Sequence, residues 1–131
     1  MGMSDLYGPA DRGESIATIH AALDSGVSLL DTGDFYGMGD NELLIREALL
    51  GRDRDNVIIS VKFGALRDPA GGWGGNDGRP EAVRNFLAYS LRRLGTDYID
   101  LFYAHFDDKE ALLASLFEEI ASELTGQLTT V

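Results

Sequence analysis

Apolar residues recur along the chain at the spacing of three to four positions that is typical of amphipathic helices. In segment 11–25, the side chains of Ile16, Ile19, His20 and Leu23 would share one buried face. We therefore expect His20 to have a structural role. The same pattern predicts three further helices, over residues 40–50, 80–94 and 109–124.

Residues typical of helix ends flank these segments. Asp11 and Glu14 have the spacing of a capping box, and Pro80 suits the first helical position because it has no N–H to leave unpaired. Glycines, which readily adopt a left-handed backbone, follow the four predicted helices, at Gly26, Gly51, Gly95 and Gly126.

Short apolar runs between the helices predict four strands, over residues 27–31, 57–63, 98–104 and 128–131. The strand starts recur every 30 to 41 residues, which is the size of a βαβ unit. The second run is rich in β-branched residues and lacks clean polar alternation, which favours a parallel sheet covered on both faces. We expect a single α/β domain over residues 1–131.

One glycine-rich segment, residues 64–79, interrupts this rhythm and contains the sequence GGWGGNDG. It follows the carboxyl end of a predicted strand, where α/β proteins bind ligands. A mobile loop with an exposed Trp73 is an equally good interpretation, and the sequence leaves both open.

The chain has 131 residues, no cysteine and a formal net charge of −11. This acidic balance argues against a nucleic-acid partner, because such proteins normally present a basic patch. No apolar run approaches the roughly 18 residues of a membrane span, and the amino terminus lacks the features of a signal peptide. We expect a cytoplasmic protein with neither nucleic-acid nor membrane partners.

Ionisable residues lie at the ends of three predicted strands: Asp31, Lys62 and His105. The carboxyl ends of parallel strands share one edge, so Asp31 and Lys62 are expected to form a buried salt bridge rather than two isolated charges. Tyr36 follows in the loop above that edge. A nearby ammonium stabilises a phenolate, which makes Tyr36 a usable proton donor, and His105 could orient a substrate oxygen.

Each of these residues also has an ordinary interpretation, as a surface lysine, a loop tyrosine or a packed histidine, and their joint position favours the functional one. His105, Asp107 and Asp108 could ligate a divalent metal, but Asp107 and Asp108 more simply cap the fourth helix. We predict no metal site.

The residues also resemble a known family. The stretch GVSLLDTGDFYGMGDNELLIREAL at residues 26–49 is similar to the first signature of the aldo-keto reductases. The similarity continues, in family order, through SVKFG at 60–64 and GTDYIDLFYAH at 95–105. MGMS at the amino terminus resembles the end of the first barrel strand of the family, and the segment ELTGQLTTV loosely resembles the junction into the fifth strand.

The resemblance implies a (β/α)8 TIM barrel and NADPH-dependent reduction of aldehyde or ketone carbonyls to alcohols. Carried over by motif, Tyr36 would be the general acid, Lys62 would activate it, Asp31 would hold Lys62 and His105 would orient the carbonyl. Asp31 is also a candidate contact for the cofactor.

A complete barrel needs about 250 residues, so we expect a partial one, with about four βα units and the start of a fifth strand. The remaining cofactor contacts are expected from later loops that this chain lacks. The alternative is a non-catalytic half-barrel that cannot bind cofactor alone. In either case, exposed barrel edges would favour self-association.

Overall fold

The computed structural model describes residues 2–4 and 8–104. Its helices and strands, in chain order, are α1 (Arg12–Asp24), β1 (Leu29–Gly33), α2 (Asp40–Ala48), β2 (Ile58–Phe63), β3 (Ala65–Arg67), β4 (Trp73–Asn76), α3 (Pro80–Leu94) and β5 (Leu101–Ala104). Two short 3-10 segments, Tyr36–Gly39 and Arg54–Asn56, lie between them. The predicted helix 109–124 and strand 128–131 lie outside the described residues.

A three-stranded parallel sheet with the order β1-β2-β5 forms the centre of the fold. In its register Asp31 lies opposite Ser60, Gly33 opposite Lys62, and Lys62 opposite Tyr103. The helix α2 connects β1 to β2, and α3 lies between β2 and β5 in the chain, which confirms the predicted βαβ arrangement.

The predicted helix ends are confirmed at several positions. Asp11 accepts a hydrogen bond from the backbone N–H of Glu14 at 2.8 Å and caps α1. At the other end, the N–H groups of Gly26 and Val27 donate to the carbonyl oxygens of Leu23 and Ala22, which is the Schellman pattern. Pro80 opens α3, as expected.

Two strands begin later than predicted. Because Val27 completes the end of α1, β1 covers Leu29–Gly33 instead of residues 27–31, so Asp31 lies at its centre and not at its end. The strand β5 starts at Leu101 instead of residue 98, since the Asp100 carboxylate accepts the N–H of Ile59 at 2.8 Å and binds Arg54 at 2.7 Å.

The glycine-rich segment 64–79 is not a plain loop, because β3 and β4 pair in it as an irregular antiparallel hairpin. The Asp68 carboxylate orders its turn by accepting the N–H groups of Ala70 and Gly72 at 2.8 and 2.9 Å. Trp73 is 54% exposed, yet it packs edge-on against Phe35, so the hairpin covers the loop that follows β1.

The apolar core lies between the sheet and the helices, and consists of Ile19, Leu30, Leu44, Ile45, Ala48, Val57, Ile59, Val61 and Leu94. His20 packs beside it and donates from Nε2 to the carbonyl oxygen of Ala48 at 2.7 Å, as its expected structural role requires. On the other face of the sheet Leu29, Ile58 and Leu101 are about half exposed. The described residues therefore cover only one face, not the two expected.

The amino-terminal segment is held by a buried side chain. Residues 2–4 form no strand, unlike the expected end of a first barrel strand. Asn41 instead accepts the N–H of Met3 at 3.2 Å and donates to Thr32 at 2.7 Å. No helix in the described part of the chain is long and apolar enough to cross a membrane.

Candidate active site

The predicted ion pair between Asp31 and Lys62 is present on the open face of the sheet. Lys62 Nζ lies 3.0 Å from Asp31 Oδ2. Residues 31 and 62 come together because β1 and β2 are parallel and in register, which places Gly33 opposite Lys62. A Cβ at Gly33 would lie 2.9 Å from the Phe35 ring and 3.3 Å from the Tyr36 ring, so the glycine lets both rings pack close to the strand.

Two further donors bind the Asp31 carboxylate. The hydroxyl groups of Ser60 and Tyr103 donate to Oδ1 at 3.0 and 2.8 Å. Partial burial acts to raise the pKa of Asp31, but the hydrogen bonds from Lys62, Tyr103 and Ser60 outweigh it and lower this pKa. Asp31 is therefore a stable carboxylate that holds Lys62 in place.

Lys62 also faces Tyr36. Its Nζ lies 5.3 Å from the centre of the Tyr36 ring. Partial burial acts to lower the pKa of Lys62, whereas its interactions with Asp31 and Tyr36 raise it by more, so the pKa lies above its ordinary value. The ammonium form is thus secured at neutral pH beside the tyrosine.

A tight turn holds Tyr36. Gly37, Met38 and Gly39 all have positive φ angles, and this turn leads directly into α2. The Tyr36 ring is buried and packs on Phe35, with ring centres 4.7 Å apart. The local backbone therefore fixes the tyrosine near the end of β1 instead of leaving it on a mobile loop.

Tyr103 and Ser60 were not identified from the sequence. Strand alternation was the signal that could have found them, because Ser60 lies two positions before Lys62 and Tyr103 lies two before His105. Burial and the hydrogen bond to Asp31 raise the pKa of Tyr103, so its hydroxyl group remains a donor.

His105 lies just beyond the described residues, so its predicted position beside Tyr36 stays a prediction. The same holds for Asp107 and Asp108 of the alternative metal site. In the described part of the chain, no group of three histidine, aspartate or glutamate side chains is arranged to hold a metal ion.

A separate cavity of about 980 Å³ lies at the opposite end of the strands, away from this cluster. It is lined by the residues that precede β2 and β5, including Arg46, Arg54, Arg92 and Tyr98. None of the residues Asp31, Tyr36 and Lys62 contributes to it, so this cavity and the reactive groups do not coincide.

Comparisons with known proteins identify the family of this chain. The family model for the aldo/keto reductase family matches residues 1–127. The chain therefore belongs to the aldo/keto reductase family, and its sheet and helices are an incomplete TIM barrel.

Individual relatives are longer than this chain. It is 36% identical over 107 residues to "Aldo-keto reductase yakc [NADP(+)]" from Schizosaccharomyces pombe, covering 80% of this chain and 31% of that protein. The solved structure of the holo form of aldo-keto reductase AKR11C1 from Bacillus halodurans matches with a TM-score of 0.65 and 35% identity, over 86% of this chain and 39% of that one. An aldo-keto reductase from Klebsiella pneumoniae in complex with NADPH matches with a TM-score of 0.60 and 26% identity, over 93% and 39%.

Proposed function

We propose that this chain contributes the proton-transfer half of an NADPH-dependent oxidoreductase that reduces aldehyde or ketone carbonyls in the cytoplasm. The observation that carries the proposal is the cluster of Tyr36, Lys62 and Asp31 on the open face of the sheet, with Lys62 3.0 Å from Asp31 and facing the Tyr36 ring. The relative from Schizosaccharomyces pombe is named for NADP(+), and the one from Klebsiella pneumoniae was solved with NADPH.

Within this proposal, each residue has a distinct task. The Tyr36 hydroxyl group protonates the substrate oxygen as negative charge develops on it. The Lys62 ammonium stabilises the phenolate that remains, and Asp31 compensates the charge of Lys62 in its half-buried position. Ser60 and Tyr103 keep the Asp31 carboxylate in one orientation by donating to its Oδ1.

The described residues fit the reacting end of the proposed cofactor. The side chains of Asp31 and Lys62 remain 35% and 20% exposed, so a planar ring and a carbonyl can reach them from the open face. NADPH would supply the hydride in this chemistry. The residues that bind its phosphates are expected in those segments of the longer relatives that lie outside the part matched by this chain.

The open face of the sheet favours a second candidate function. Among the described residues it presents half-exposed Leu29, Ile58 and Leu101, which a closed barrel would bury. A non-catalytic half-barrel, which cannot bind cofactor by itself, would account for this exposure.

Two measurements separate these functions. NADPH fluorescence titration tests binding, and the loss of NADPH absorbance with an aldehyde tests turnover. We expect Tyr36→Phe to lower kcat by about 10²- to 10⁴-fold, as the loss of a general acid does, with unchanged NADPH affinity.

Tyr89→Phe is the matched control, since Tyr89 is an exposed tyrosine on α3. Undiminished turnover in Tyr36→Phe would contradict the assignment of the proton donor. If the unmodified chain binds no NADPH, the non-catalytic half-barrel is the correct function.

A further inference from the structure

Asp34 is a buried carboxyl group that the proposed chemistry does not use. It directly follows β1, is 7% exposed, and its Oδ1 accepts no hydrogen bond from the described residues. Its backbone N–H donates to the carbonyl oxygen of Lys62 at 3.0 Å. The backbone N–H groups of Gly64 and Phe35 also interact with its carboxyl group. Asp34 therefore contacts both the strand that carries Lys62 and the loop that carries Tyr36.

An ion pair from two helices lies beside this carboxyl group. Arg93 on α3 binds the fully buried Glu42 on α2. The Arg93 side chain passes over Gly39, where a Cβ would lie 2.6 Å from its Cδ. Arg93 therefore packs on the Tyr36–Gly39 turn, and Asp34 lies two residues before that turn in the chain.

Charged side chains of both signs lie near Asp34. Its carboxyl group and that of Glu42 lie near the guanidinium of Arg93, and Arg67 on β3 lines the same cavity as Asp34 while stacking on Trp73. Burial and the nearby Glu42 carboxylate raise the pKa of Asp34 to about 7, although Arg93 and the two backbone N–H groups oppose this shift.

We propose that Asp34 is a positioning residue for Tyr36: its carboxyl group couples the Tyr36–Gly39 turn to the end of β2 that carries Lys62, and Arg93 and Glu42 set its charge. The inference deepens the proposed function, because it matters for catalysis only if Tyr36 is the proton donor. Ionised Asp34 attracts the N–H groups of Gly64 and Phe35, and protonation weakens that attraction. The position of Tyr36 relative to Lys62 therefore responds to pH near neutrality.

NMR of the full chain, with ¹³C-labelled aspartate and tyrosine, tests this coupling without cofactor or turnover. We expect one aspartate carboxyl resonance to titrate near pH 7 and to vanish in Asp34→Asn. The Tyr36 ring resonance, assigned with Tyr36→Phe, should shift with the same midpoint and lose that transition in Asp34→Asn.

The surrounding charges provide a directional test. Glu42→Gln removes the like charge and frees Arg93, so the midpoint of Asp34 should fall by at least one pH unit. Arg93→Met removes the cation, and the midpoint should rise. Arg92→Met is the matched control, since Arg92 is an exposed neighbour on the same helix turn and should leave the midpoint unchanged.

Two results would overturn the inference: a Tyr36 resonance that does not follow the titration of Asp34, or a midpoint that Glu42→Gln leaves in place. If Arg93→Met does not fold, Glu42→Gln and Asp34→Asn still test the coupling between Asp34 and Tyr36. Where the chain does turn over substrate, Asp34→Asn should lower kcat about tenfold without changing NADPH affinity. Absence of turnover would count against the proposed function alone, because the NMR titration does not depend on it.

Discussion

Asp31 and Asp34 lie three residues apart, and their surroundings shift their pKa values in opposite directions. Asp31 faces three hydrogen-bond donors on the open side of the sheet, which together lower its pKa despite partial burial. Asp34 is more deeply buried and lies near the Glu42 carboxylate, which raises its pKa to about 7. One carboxyl group thus holds a fixed charge, while the other changes charge near neutral pH.

Asp34 should make the stability of the protein depend on pH. Its folded-state pKa of about 7 lies above the unfolded value of about 3.9, so the folded state binds more protons between these values. The free energy of unfolding should therefore decrease by up to about 4 kcal/mol as pH rises from about 4 to 7. Asp34→Asn should remove this decrease, which urea unfolding at a series of pH values measures.

The contribution of Asp31 falls in a different pH range. Since its pKa is lowered, its stabilising effect is present above about pH 4 and is lost as pH falls further.

The Glu42 carboxylate contributes to the pH dependence that Asp34 causes. Glu42→Gln should lower the pKa of Asp34, so the free energy of unfolding should decrease less between pH 4 and pH 7. An unchanged slope between pH 4 and 7 in Asp34→Asn would show that another group causes it.

At the level of elements, the turn between β1 and α2 determines where Tyr36 lies. Gly39 precedes α2 with a φ of +100°, and Arg93 from α3 packs directly on it to reach Glu42. The same close approach therefore orders the turn and brings α3 against α2. A side chain at position 39 would disturb both.

Gly39→Ala and Gly26→Ala form a matched pair that tests this. Both glycines have φ near +100°, so alanine should cost about 1–2 kcal/mol at either position through backbone strain. A Cβ at Gly26 meets nothing within 4 Å, whereas a Cβ at Gly39 would lie 2.6 Å from Cδ and Nε of Arg93, so that side chain has to move and its ion pair with the buried Glu42 is disturbed. We expect Gly39→Ala to lower the free energy of unfolding by at least about 2 kcal/mol more.

Chemical denaturation with linear extrapolation measures both variants on the same scale. Equal losses of stability would mean that the contact between Arg93 and Gly39 does not constrain the turn. In that case the Arg93 side chain would keep its ion pair with Glu42 in a different conformation.

At the scale of the whole molecule, one face of the sheet is packed and the other is open among the described residues. Leu29, Ile58 and Leu101 are 50%, 44% and 51% exposed on the open face. Apolar side chains gathered on an exposed sheet favour association with another surface. We propose that two copies of the chain associate through the exposed sheet edges and these three apolar side chains, which lie at the amino-terminal ends of β1, β2 and β5 and not beside Lys62.

Light scattering should accordingly show a mass that increases with protein concentration. Ile58→Lys should return the protein to a monomer, because it places a charge in the centre of the apolar face. Leu50→Lys is the control, since Leu50 is 73% exposed but follows α2, away from the sheet. A chain that remains monomeric at all concentrations would contradict the proposed association.

The local elements and their order could be predicted from the sequence because they depend on short-range physics. Hydrophobic periodicity, the Asp11 cap, Pro80 and the glycines after the helices define α1, α2 and α3 to within two residues. The family motifs likewise identified Asp31, Tyr36 and Lys62, since these residues lie at characteristic distances along the chain.

Only the tertiary structure determined which charged and polar side chains interact with one another. Strand register brings Ser60 and Tyr103 onto Asp31, and the hydrogen bond from Val27 to the end of α1 delays the start of β1. The group formed by Asp34, Glu42 and Arg93 joins three elements up to 59 residues apart in the chain. Burial and distance determine the pKa of such a group, and neither quantity is encoded in local spacing, so the titration of Asp34 follows only from the folded chain.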